Sequence, residues 1–320
     1  RTYCSQVDYQ GDRPTLYHNN GDGTFTEGAK TAGIDSFGWH SGAAVADVNG
    51  DGRPDLFVAG YTDLNTPVTT AIGGFPSNYQ GVRDLLYLNE GNDGRGHSRF
   101  REVGVQAGLE ATQFRHGLGA LFTDYNGDGR ADLYVADDED PNQLYENVPW
   151  PGGAAADPEG LGFRFEERAA IAGVADPNAG MGVAAADFNG DGRTDLFISN
   201  SRGQGHAVYT GQQPLASGSS FNDVRAAFAP AFGKTFTGWG ASWVDLDLDG
   251  NLDLVLTNGG IPVTNLARNA QPIQVLENMG APPGSAPHFT DGTALVGGND
   301  LEHALEIVAR RHIEHRKPAP

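Results

Sequence analysis

The chain has 320 residues, of which 46 are glycine and 18 are proline, and its formal net charge at pH 7 is −20. Such an excess of acidic residues argues against a nucleic-acid partner, and no apolar run approaches the roughly 18 residues of a membrane helix. Cys4 is the only cysteine. A disulfide within the chain is therefore excluded, and Cys4 is either a free thiol or pairs outside this chain.

The first predicted elements form a pair of short strands near the N-terminus. Residues 1–14 are polar and predicted to be irregular, whereas residues 16–19, Leu-Tyr-His-Asn, predict a strand. A turn follows, and residues 25–27, Phe-Thr-Glu, predict the returning strand. The same pairing of an apolar segment with a later Phe-x-Glu or Phe-x-Asp segment recurs along the chain. The recurrences are 86–89 with 100–102, 144–147 with 165–167, 208–209 with 221–223, and 275–278 with 289–291.

A nonapeptide occurs four times, and its copies, here called the Asp loops, begin at Asp47, Asp124, Asp187 and Asp245. Each copy has oxygen-bearing side chains at positions 1, 3, 5 and 9, with glycine at position 6. Position 7 is Arg or Asn and would offer its backbone carbonyl. This donor set suits Ca²⁺, which accepts six to eight oxygens in a forgiving geometry, better than Mg²⁺. We predict about four bound Ca²⁺ ions, held by Asp47, Asn49, Asp51, Arg53, Asp55, Asp124, Asn126, Asp128, Arg130, Asp132, Asp187, Asn189, Asp191, Arg193, Asp195, Asp245, Asp247, Asp249, Asn251 and Asp253.

Two other interpretations of the Asp loops are less favoured. An EF-hand loop opens in the same way but needs a bidentate Glu at position 12. That position is occupied by apolar residues in all four copies, namely Val58, Val135, Ile198 and Leu256. Alternatively, the Asp-Gly and Asn-Gly pairs could simply make turns. The recurrence of the same liganding positions in every copy favours the metal.

The surroundings of the Asp loops predict the fold. Each loop lies between a small-residue segment, such as 182–186, and an apolar segment, such as 196–198. Both segments are typical of strands, so each loop is predicted to be a β-hairpin tip. With the two strands that follow, the repeating unit has four strands, as in a β-propeller blade. We predict an all-β propeller over residues 1–295 and a tail over 296–320, in which residues 301–315 have a helical pattern.

The predicted propeller has four full blades, and the N-terminal strand pair adds a split or partial one. The ring would be five-bladed if the chain closes on itself. Otherwise it would be part of a larger ring.

The Asp loops and residues 16–25, Leu-Tyr-His-Asn-Asn-Gly-Asp-Gly-Thr-Phe, resemble the FG-GAP/VCBS repeats of integrin α-subunit propellers and many secreted bacterial proteins. They are most similar to the cartilage acidic protein/UnbV group, whose repeats typically carry Leu-Tyr-Arg-Asn-x-Gly-Asp-Gly-Thr-Phe. The resemblance implies a propeller, often seven-bladed, in which loop positions 1, 3, 5 and 9 ligate calcium. Members of this group include adhesion-like matrix proteins, proteins encoded beside enediyne biosynthetic genes and a distantly similar sugar dehydratase. The fold therefore does not choose the function.

The ends of the blades away from the Asp loops, here called the opposite end, carry a second set of candidate residues. They lie in segments that enter the first strand of a blade, and they are Trp39, His40, Arg115, His116 and Trp239. Indoles would supply apolar surface while imidazoles and guanidinium supply directed polar contacts. The alternative is that these side chains only plug the channel. The acidic run at 137–140 is predicted to be a solvated loop, with a second metal site as the less favoured alternative.

Two classes of function follow from these patterns. The first is a calcium-stabilised module that binds a protein, a glycan or a small polar molecule at the opposite end. The second is an enzyme, a lyase or a natural-product tailoring enzyme similar to UnbV-group proteins, with His40 or His116 as a base. Calcium loops fill most readily where calcium is near millimolar, so we expect an extracellular or periplasmic location.

Overall fold

The computed structural model describes residues 11–69, 74–94, 97–109, 114–213, 220–261, 270–282 and 287–293. These residues form two compact units, an N-terminal unit up to Ala169 and a C-terminal unit from Ala170. Among the described residues, no helix is long and apolar enough to cross a membrane. Cys4 and the helical pattern at 301–315 lie outside the described residues.

The N-terminal unit consists almost entirely of antiparallel strands. In chain order they are β1 (Tyr17–Asn19), β2 (Phe25–Glu27), β3 (His40–Ala46), β4 (Asp55–Gly60), β5 (Thr62–Pro67), β6 (Tyr79–Gly81), β7 (Leu85–Asn92), β8 (Ser98–Glu102), β9 (Gly117–Thr123), β10 (Asp132–Asp137), β11 (Gln143–Pro149) and β12 (Phe163–Glu167). A short 3-10 helix at Ala154–Ala156 precedes β12.

Two four-stranded sheets in this unit have the predicted blade topology. Their orders are β3-β4-β7-β8 and β9-β10-β11-β12, while β1 and β2 form a separate pair. In the first sheet Ala46 pairs with Asp55 beside the Asp loop, and His40 pairs with Gly60 at the opposite end. The predicted Phe-x-Glu strands are confirmed as the outer strands β8 and β12. Because the Asp loops join strands rather than helices, the EF-hand interpretation is excluded.

One element of the first sheet was not predicted. Between β4 and β7 the chain makes an extra hairpin, β5 and β6, which forms its own two-stranded sheet. The sequence signal for this hairpin is the length of the connection between the second and third strands of the sheet. The corresponding connection in the next sheet runs only from Asp137 to Gln143, whereas here the chain runs from Gly60 to Leu85. The hairpin adds residues to the opposite end alone.

The C-terminal unit has two further sheets of the same topology. Its elements are α1 (Ala169–Ala172, which begins at the division), β13 (Gly180–Ala186), β14 (Asp195–Asn200), β15 (Ala207–Gly211), β16 (Phe221–Asp223), α2 (Arg225–Phe232), β17 (Gly238–Val244), β18 (Asp253–Asn258), β19 (Gln274–Asn278) and β20 (Phe289–Asp291). The sheets have the orders β13-β14-β15-β16 and β17-β18-β19-β20. The helix α2 was not predicted, and its Phe228 and Phe232 are buried in the core.

Small residues in the first strand of each sheet have a packing reason. A Cβ atom on Gly42 of β3 would lie 2.3 Å from the carbonyl oxygen of Leu118 in β9. In the other unit, a Cβ atom on Gly182 of β13 would lie 1.7 Å from the carbonyl oxygen of Trp239 in β17. First strands of adjacent sheets thus approach backbone to backbone, as predicted for the inner strands of a propeller. The number of blades and the closure of the ring stay predictions.

Apolar side chains fill the space between adjacent sheets. In the N-terminal unit Phe57 and Leu86 of one sheet pack in a single cluster with Leu133, Val135 and Tyr145 of the next. In the C-terminal unit the cluster includes Phe188, Phe197, Leu254 and Leu276. These side chains alternate along the strands with residues of the other face, which is the period expected for packed sheets.

Candidate metal loops and the opposite end of the blades

The first aspartate of each Asp loop organises the loop backbone. In the first loop Asp47 Oδ1 accepts hydrogen bonds from the N–H groups of Gly50 and Asp51, at 2.8 and 3.1 Å. Its Oδ2 accepts one from Gly52 at 2.7 Å. The position 3 side chain, Asn49, accepts a further bond from the Asp51 N–H at 3.1 Å. The loop is therefore folded around its own oxygen donors.

The last aspartate of each loop is buried and connects the loop to the third strand of its sheet. Asp132 accepts hydrogen bonds from the N–H groups of Asn147 at 2.8 Å and Tyr125 at 3.2 Å. Burial raises the pKa of Asp132 to about 7; the two hydrogen bonds oppose the shift, and Asp128 and Asp124 add to it. The same pair of bonds is made at position 9 of the other loops by Asp55, Asp195 and Asp253.

The fourth loop shows how well these residues fit a cation. Asp245, Asp247 and Asp253 each offer one carboxylate oxygen, and the three oxygens lie within 4.8 Å of one another. Converging carboxylates are the donors of a hard divalent cation, and Ca²⁺ tolerates the irregular geometry of such a loop. The other three loops have an amide oxygen at position 3, from Asn49, Asn126 and Asn189.

Position 7 has a second role that sequence reasoning missed. Besides any carbonyl ligand, its side chain folds back over the loop. Arg53 Nε donates to the carbonyl oxygen of Asn89 at 2.7 Å, and its guanidinium pairs with Asp51. Arg193 pairs with Asp191 at 3.1 Å in the same way. In these two loops the position 7 guanidinium therefore partly offsets the negative charge at position 5.

At the opposite end the N-terminal unit contains a cavity of about 480 Å³. Aromatic side chains line it, including Trp39, which is half-buried, Phe37, which is 64% exposed, and Phe114, which is 42% exposed. Its polar lining includes Asp63 and Arg83. The unpredicted β5–β6 hairpin supplies part of this wall, so the cavity combines apolar surface with charged groups of both signs.

The charged groups of the cavity are held in place by their neighbours. The Thr66 hydroxyl donates to Asp63 at 2.5 Å, and this bond and the Asn65 N–H lower the pKa of Asp63. Arg83 forms an ion pair with Glu102 at 3.0 Å. Trp39 also borders a neighbouring cavity of about 400 Å³ that His40 lines. Burial lowers the pKa of His40, and the charge of Arg83 lowers it further, so this imidazole is neutral near pH 7.

His116 lies beneath the surface rather than on it. It is 6% exposed, its Nδ1 is 2.7 Å from Asp140 Oδ2, and its Nε2 is 3.2 Å from the carbonyl oxygen of Tyr79. Both partners are oxygen acceptors, so each ring nitrogen faces an acceptor. Arg115 donates to the carbonyl oxygen of Pro141 at 2.5 Å. Both side chains connect the entry to β9 with neighbouring loops.

The remaining candidate, Trp239, belongs to the C-terminal unit. It is 40% exposed, and its Nε1 donates to the carbonyl oxygen of Gly259 at 3.0 Å. The structure thus places Trp39, His40, Arg115 and His116 in one unit and Trp239 in the other. A single binding surface that includes all five stays a prediction.

The expectation of a solvated loop at 137–140 is wrong for its first residue. Asp137 is only 1% exposed, because it completes β10 and points into the packed layer between sheets. Asp138 is half-buried and accepts a hydrogen bond from the Tyr61 hydroxyl at 2.8 Å. Only Glu139 of this run is exposed. Sequence alone could not show this, because every residue of β10 is buried and the strand extends one residue beyond its apolar run, to Asp137.

Comparison with known sequences agrees with this architecture. Residues 4–58 and 124–198 match a family described as an FG-GAP-like repeat. The two matched segments include three of the four Asp loops, so the match to the FG-GAP-like repeat coincides with the Asp loop pattern in this sequence.

The curated relatives that this chain matches by sequence are longer proteins. Cartilage acidic protein 1 of Xenopus tropicalis is 28% identical over 209 residues, which cover 62% of this chain and 27% of that protein. Its Mus musculus counterpart is 29% identical over 167 residues, 52% of this chain and 22% of that protein. The chain therefore spans about a quarter of the length of the curated relatives it matches.

Among solved structures, the V. cholerae biofilm matrix protein Bap1 is similar to this chain. It shares 21% identity, with a TM-score of 0.34, over 84% of this chain and 38% of that one. A TM-score this low transfers no property.

Proposed function

We propose that this chain is a calcium-stabilised, extracytoplasmic binding module whose ligand, a protein or a glycan, binds at the opposite end of its blades. The observation that carries the proposal is the division of chemistry between two ends of the same sheets. One end holds the oxygen donors of the Asp loops, and the other holds a cavity of about 480 Å³ with aromatic and charged walls.

Calcium would act on stability rather than on the ligand. Each loop gathers carboxylates at a hairpin tip, where they repel one another until a cation binds. An ion that binds only the folded state stabilises it by ~2.7 kcal/mol per site at a hundredfold excess over Kd. Because position 9 is bonded to the third strand, this stabilisation would extend from the loop into its sheet.

An extracytoplasmic location accords with this role. Loops of moderate affinity fill where calcium is near millimolar. The name of the relatives, cartilage acidic protein, supports the same location.

The cavity is suited to recognition. Trp39, Phe37 and Phe114 would offer flat faces for a pyranose ring or an apolar side chain, while Asp63 and Arg83 would give directed polar contacts. The cluster of exposed aromatic side chains is typical of an interaction surface. His116 and Arg115 would act from below by fixing the loops that shape this end.

Binding is better supported than the lyase alternative. A general base needs a free nitrogen within hydrogen-bond reach of substrate. His116 has both nitrogens engaged by Asp140 and Tyr79, so it would have to break a bond to act. The lyase alternative would therefore have to use His40 as its base, since burial lowers the pKa of this imidazole and leaves it neutral near pH 7.

The binding proposal can be tested with a glycan array probed in calcium, followed by calorimetry on the best-binding glycan. Trp39→Ala is expected to weaken binding at least tenfold, about 1.4 kcal/mol, and to leave the calcium stoichiometry unchanged. Phe25→Ala is the matched control, because Phe25 is 62% exposed on β2 and does not line the cavity. Equal affinity of wild type and Trp39→Ala would place the ligand elsewhere.

Calcium itself can be tested by thermal melting with and without a chelator. The midpoint is expected to fall when calcium is removed and to recover when it is restored. An unchanged midpoint, together with no metal in the purified protein, would contradict the calcium role while leaving the binding proposal open to its own test.

A further inference from the structure

Asp137 is a buried carboxylate with no partner. It is 1% exposed, and neither of its oxygens has a hydrogen-bond partner among the described residues. An ionised carboxylate in such a place is strongly unfavourable unless a proton or a cation neutralises it. Burial raises the pKa of Asp137 well above its usual range, and the Asp84 carboxylate raises it further. Asp137 lies five positions beyond the last Asp loop residue of its sheet, so it belongs to none of the predicted loop sites.

The fold does not require a charge at this position. In the two sheets of the C-terminal unit, the residue at the same register of the second strand is Asn200 or Asn258. Each amide donates to acceptors of its own unit: Asn200 Nδ2 to the Gly205 carbonyl oxygen at 2.7 Å, and Asn258 Nδ2 to the Pro272 carbonyl oxygen at 2.9 Å. An amide therefore suffices for the architecture. The carboxylate of Asp137 calls for another explanation.

Asp84 presents the same contrast. Its Oδ1 accepts the N–H of Gly60, the last residue of β4, at 2.8 Å. In the next sheet Asn142 performs this task, since its Oδ1 accepts the N–H of Asp137 at 2.8 Å. A neutral amide thus makes the same bond at the same place in the blade. The negative charge of Asp84 is not needed for it.

These two carboxylates belong to the two four-stranded sheets of the N-terminal unit, one to each sheet. Asp84 directly precedes β7 of one sheet, and Asp137 ends β10 of the next. The charges acting on Asp137 are, in order of strength, those of Asp84, Arg115, Asp140 and Asp138. With Asp137 itself there are four carboxylates. Arg115 opposes them and also donates to the carbonyl oxygen of Pro141, the charge of Arg83 acts on Asp84, and His116 Nδ1 lies 2.7 Å from Asp140 Oδ2.

A phenol completes the surroundings. The Tyr145 hydroxyl accepts a hydrogen bond from Gln143 Nε2 at 2.6 Å. Burial raises the pKa of Tyr145, and the charges of Asp84 and Asp137 both add to the shift. The phenol would therefore supply a neutral oxygen to the same region as the two carboxyl groups.

We propose that Asp84 and Asp137 bind a calcium ion between these two sheets, with the Tyr145 hydroxyl as a neutral oxygen beside it. One proton would neutralise only one of the two carboxylates, whereas a divalent cation neutralises both. Every donor is oxygen, which selects a hard cation. Mg²⁺ dehydrates reluctantly and keeps several waters, so a site enclosed by packed strands favours Ca²⁺.

The test uses calcium alone as the probe. Wild type and Asp137→Asn are equilibrated with calcium, separated from free ions by dialysis, and analysed for bound calcium per chain. Asp137→Asn is expected to bind one ion fewer, and because Asn occupies this register in two other sheets, the variant should fold. Release of calcium to a chelator is expected to lose its slowest phase, since Asp137 is 1% exposed and an ion held by it would leave slowly. Asp84→Asn should lose the same ion and the same phase.

Asp138→Asn is the matched control, because Asp138 neighbours Asp137 but bonds the Tyr61 hydroxyl. It should bind as many ions as wild type. Equal stoichiometry in wild type and Asp137→Asn would overturn the proposal and show that Asp137 is neutralised by a proton. Loss of an ion in Asp138→Asn as well would also overturn it, since the effect would not be specific to Asp84 and Asp137. Neither result bears on the Asp loops, whose residues are unchanged in all three variants.

Discussion

The fourth Asp loop offers the sharpest test of how charge sets stability and affinity. Asp247→Asn gives this loop the same position 3 residue as the other three loops. The backbone N–H of Asp249 donates to Asp247 Oδ1 at 3.2 Å, and an Asn Oδ1 can accept the same bond, as Asn49 does in the first loop at 3.1 Å. The substitution therefore removes a charge while keeping the loop geometry.

Asp247→Asn is expected to stabilise the metal-free protein and to weaken calcium binding. Asp247 offers an oxygen within 4.8 Å of oxygens of Asp245 and Asp253, and two unit charges at that distance repel by about 1 to 3 kcal/mol as the dielectric falls from water to a protein surface. Burial raises the pKa of Asp247, and Asp249 adds to this shift. The loop is only partly shielded from solvent, so we expect a net gain of ~1 kcal/mol in the metal-free protein. With calcium, the loss of a charged ligand should weaken the site about tenfold, or ~1.4 kcal/mol.

Urea denaturation in chelator measures the first effect, and calcium-titration calorimetry measures the second. The reciprocal variant, Asn189→Asp, adds a carboxylate to the third loop and should reverse both signs. Wild type should show its tightest class of sites at the loop of Asp245. Destabilisation of Asp247→Asn in chelator, or an unchanged tight class in calcium, would refute the reasoning that ligand charge orders the sites.

Three further outcomes are expected. His206 is buried, its Nδ1 accepts the backbone N–H of the last residue of β14, and burial lowers its pKa from 6.5 to about 4. Its contribution to the free energy of unfolding is therefore full above pH 6.5 and falls by ~3 kcal/mol as the pH drops towards 4. His206→Asn keeps an acceptor and should reduce this loss of stability at acid pH. Gly182→Ala forces a Cβ against a backbone carbonyl and should destabilise by ~1–3 kcal/mol, whereas Gly28→Ala, with nothing within 4 Å, should change urea stability little. Ser199→Ala removes the hydroxyl that accepts the Gly182 N–H at 2.8 Å. The free energy of unfolding in urea is expected to fall by ~1–3 kcal/mol, and a fall below ~0.5 kcal/mol would contradict the role of Ser199 in joining the first strands.

The position of Asp132 shows how far the repeat pattern reaches. Spacing alone marks it as a loop oxygen donor. Only the structure shows that its carboxylate also accepts the Asn147 N–H of the third strand, because that bond joins residues separated along the chain by a strand and a turn. The pattern indicates which atoms are donors, and packing decides what else those atoms must satisfy.

The opposite end was less accessible from sequence. Trp39 and His116 stand at equivalent places in consecutive blades, and both were expected at a surface. The structure leaves Trp39 half-buried at a cavity and buries His116 between Asp140 and Tyr79. The difference comes from the β5–β6 hairpin, which covers His116 with Tyr79 and extends the cavity wall beside Trp39. An insertion of this kind leaves no periodic pattern in the sequence, and only the length of the connection indicates it.

Short-range sequence patterns by themselves determined the strands, the hairpin tips and the oxygen donors of this protein. The two-residue period of strands and the nine-residue Asp loop both involve residues of a single hairpin. The tertiary structure alone decided which polar groups lose contact with water. Asp137 follows an apolar run just as Asn200 does in its own sheet. Among the described residues, neither oxygen of Asp137 has a hydrogen-bond partner, whereas Asn200 has an unpartnered Oδ1 but donates through Nδ2 to the Gly205 carbonyl oxygen. Burial and charge pairing depend on which strands are neighbours across two sheets, and residues far apart in the chain, such as Asp84 and Asp137, interact only after those sheets have packed.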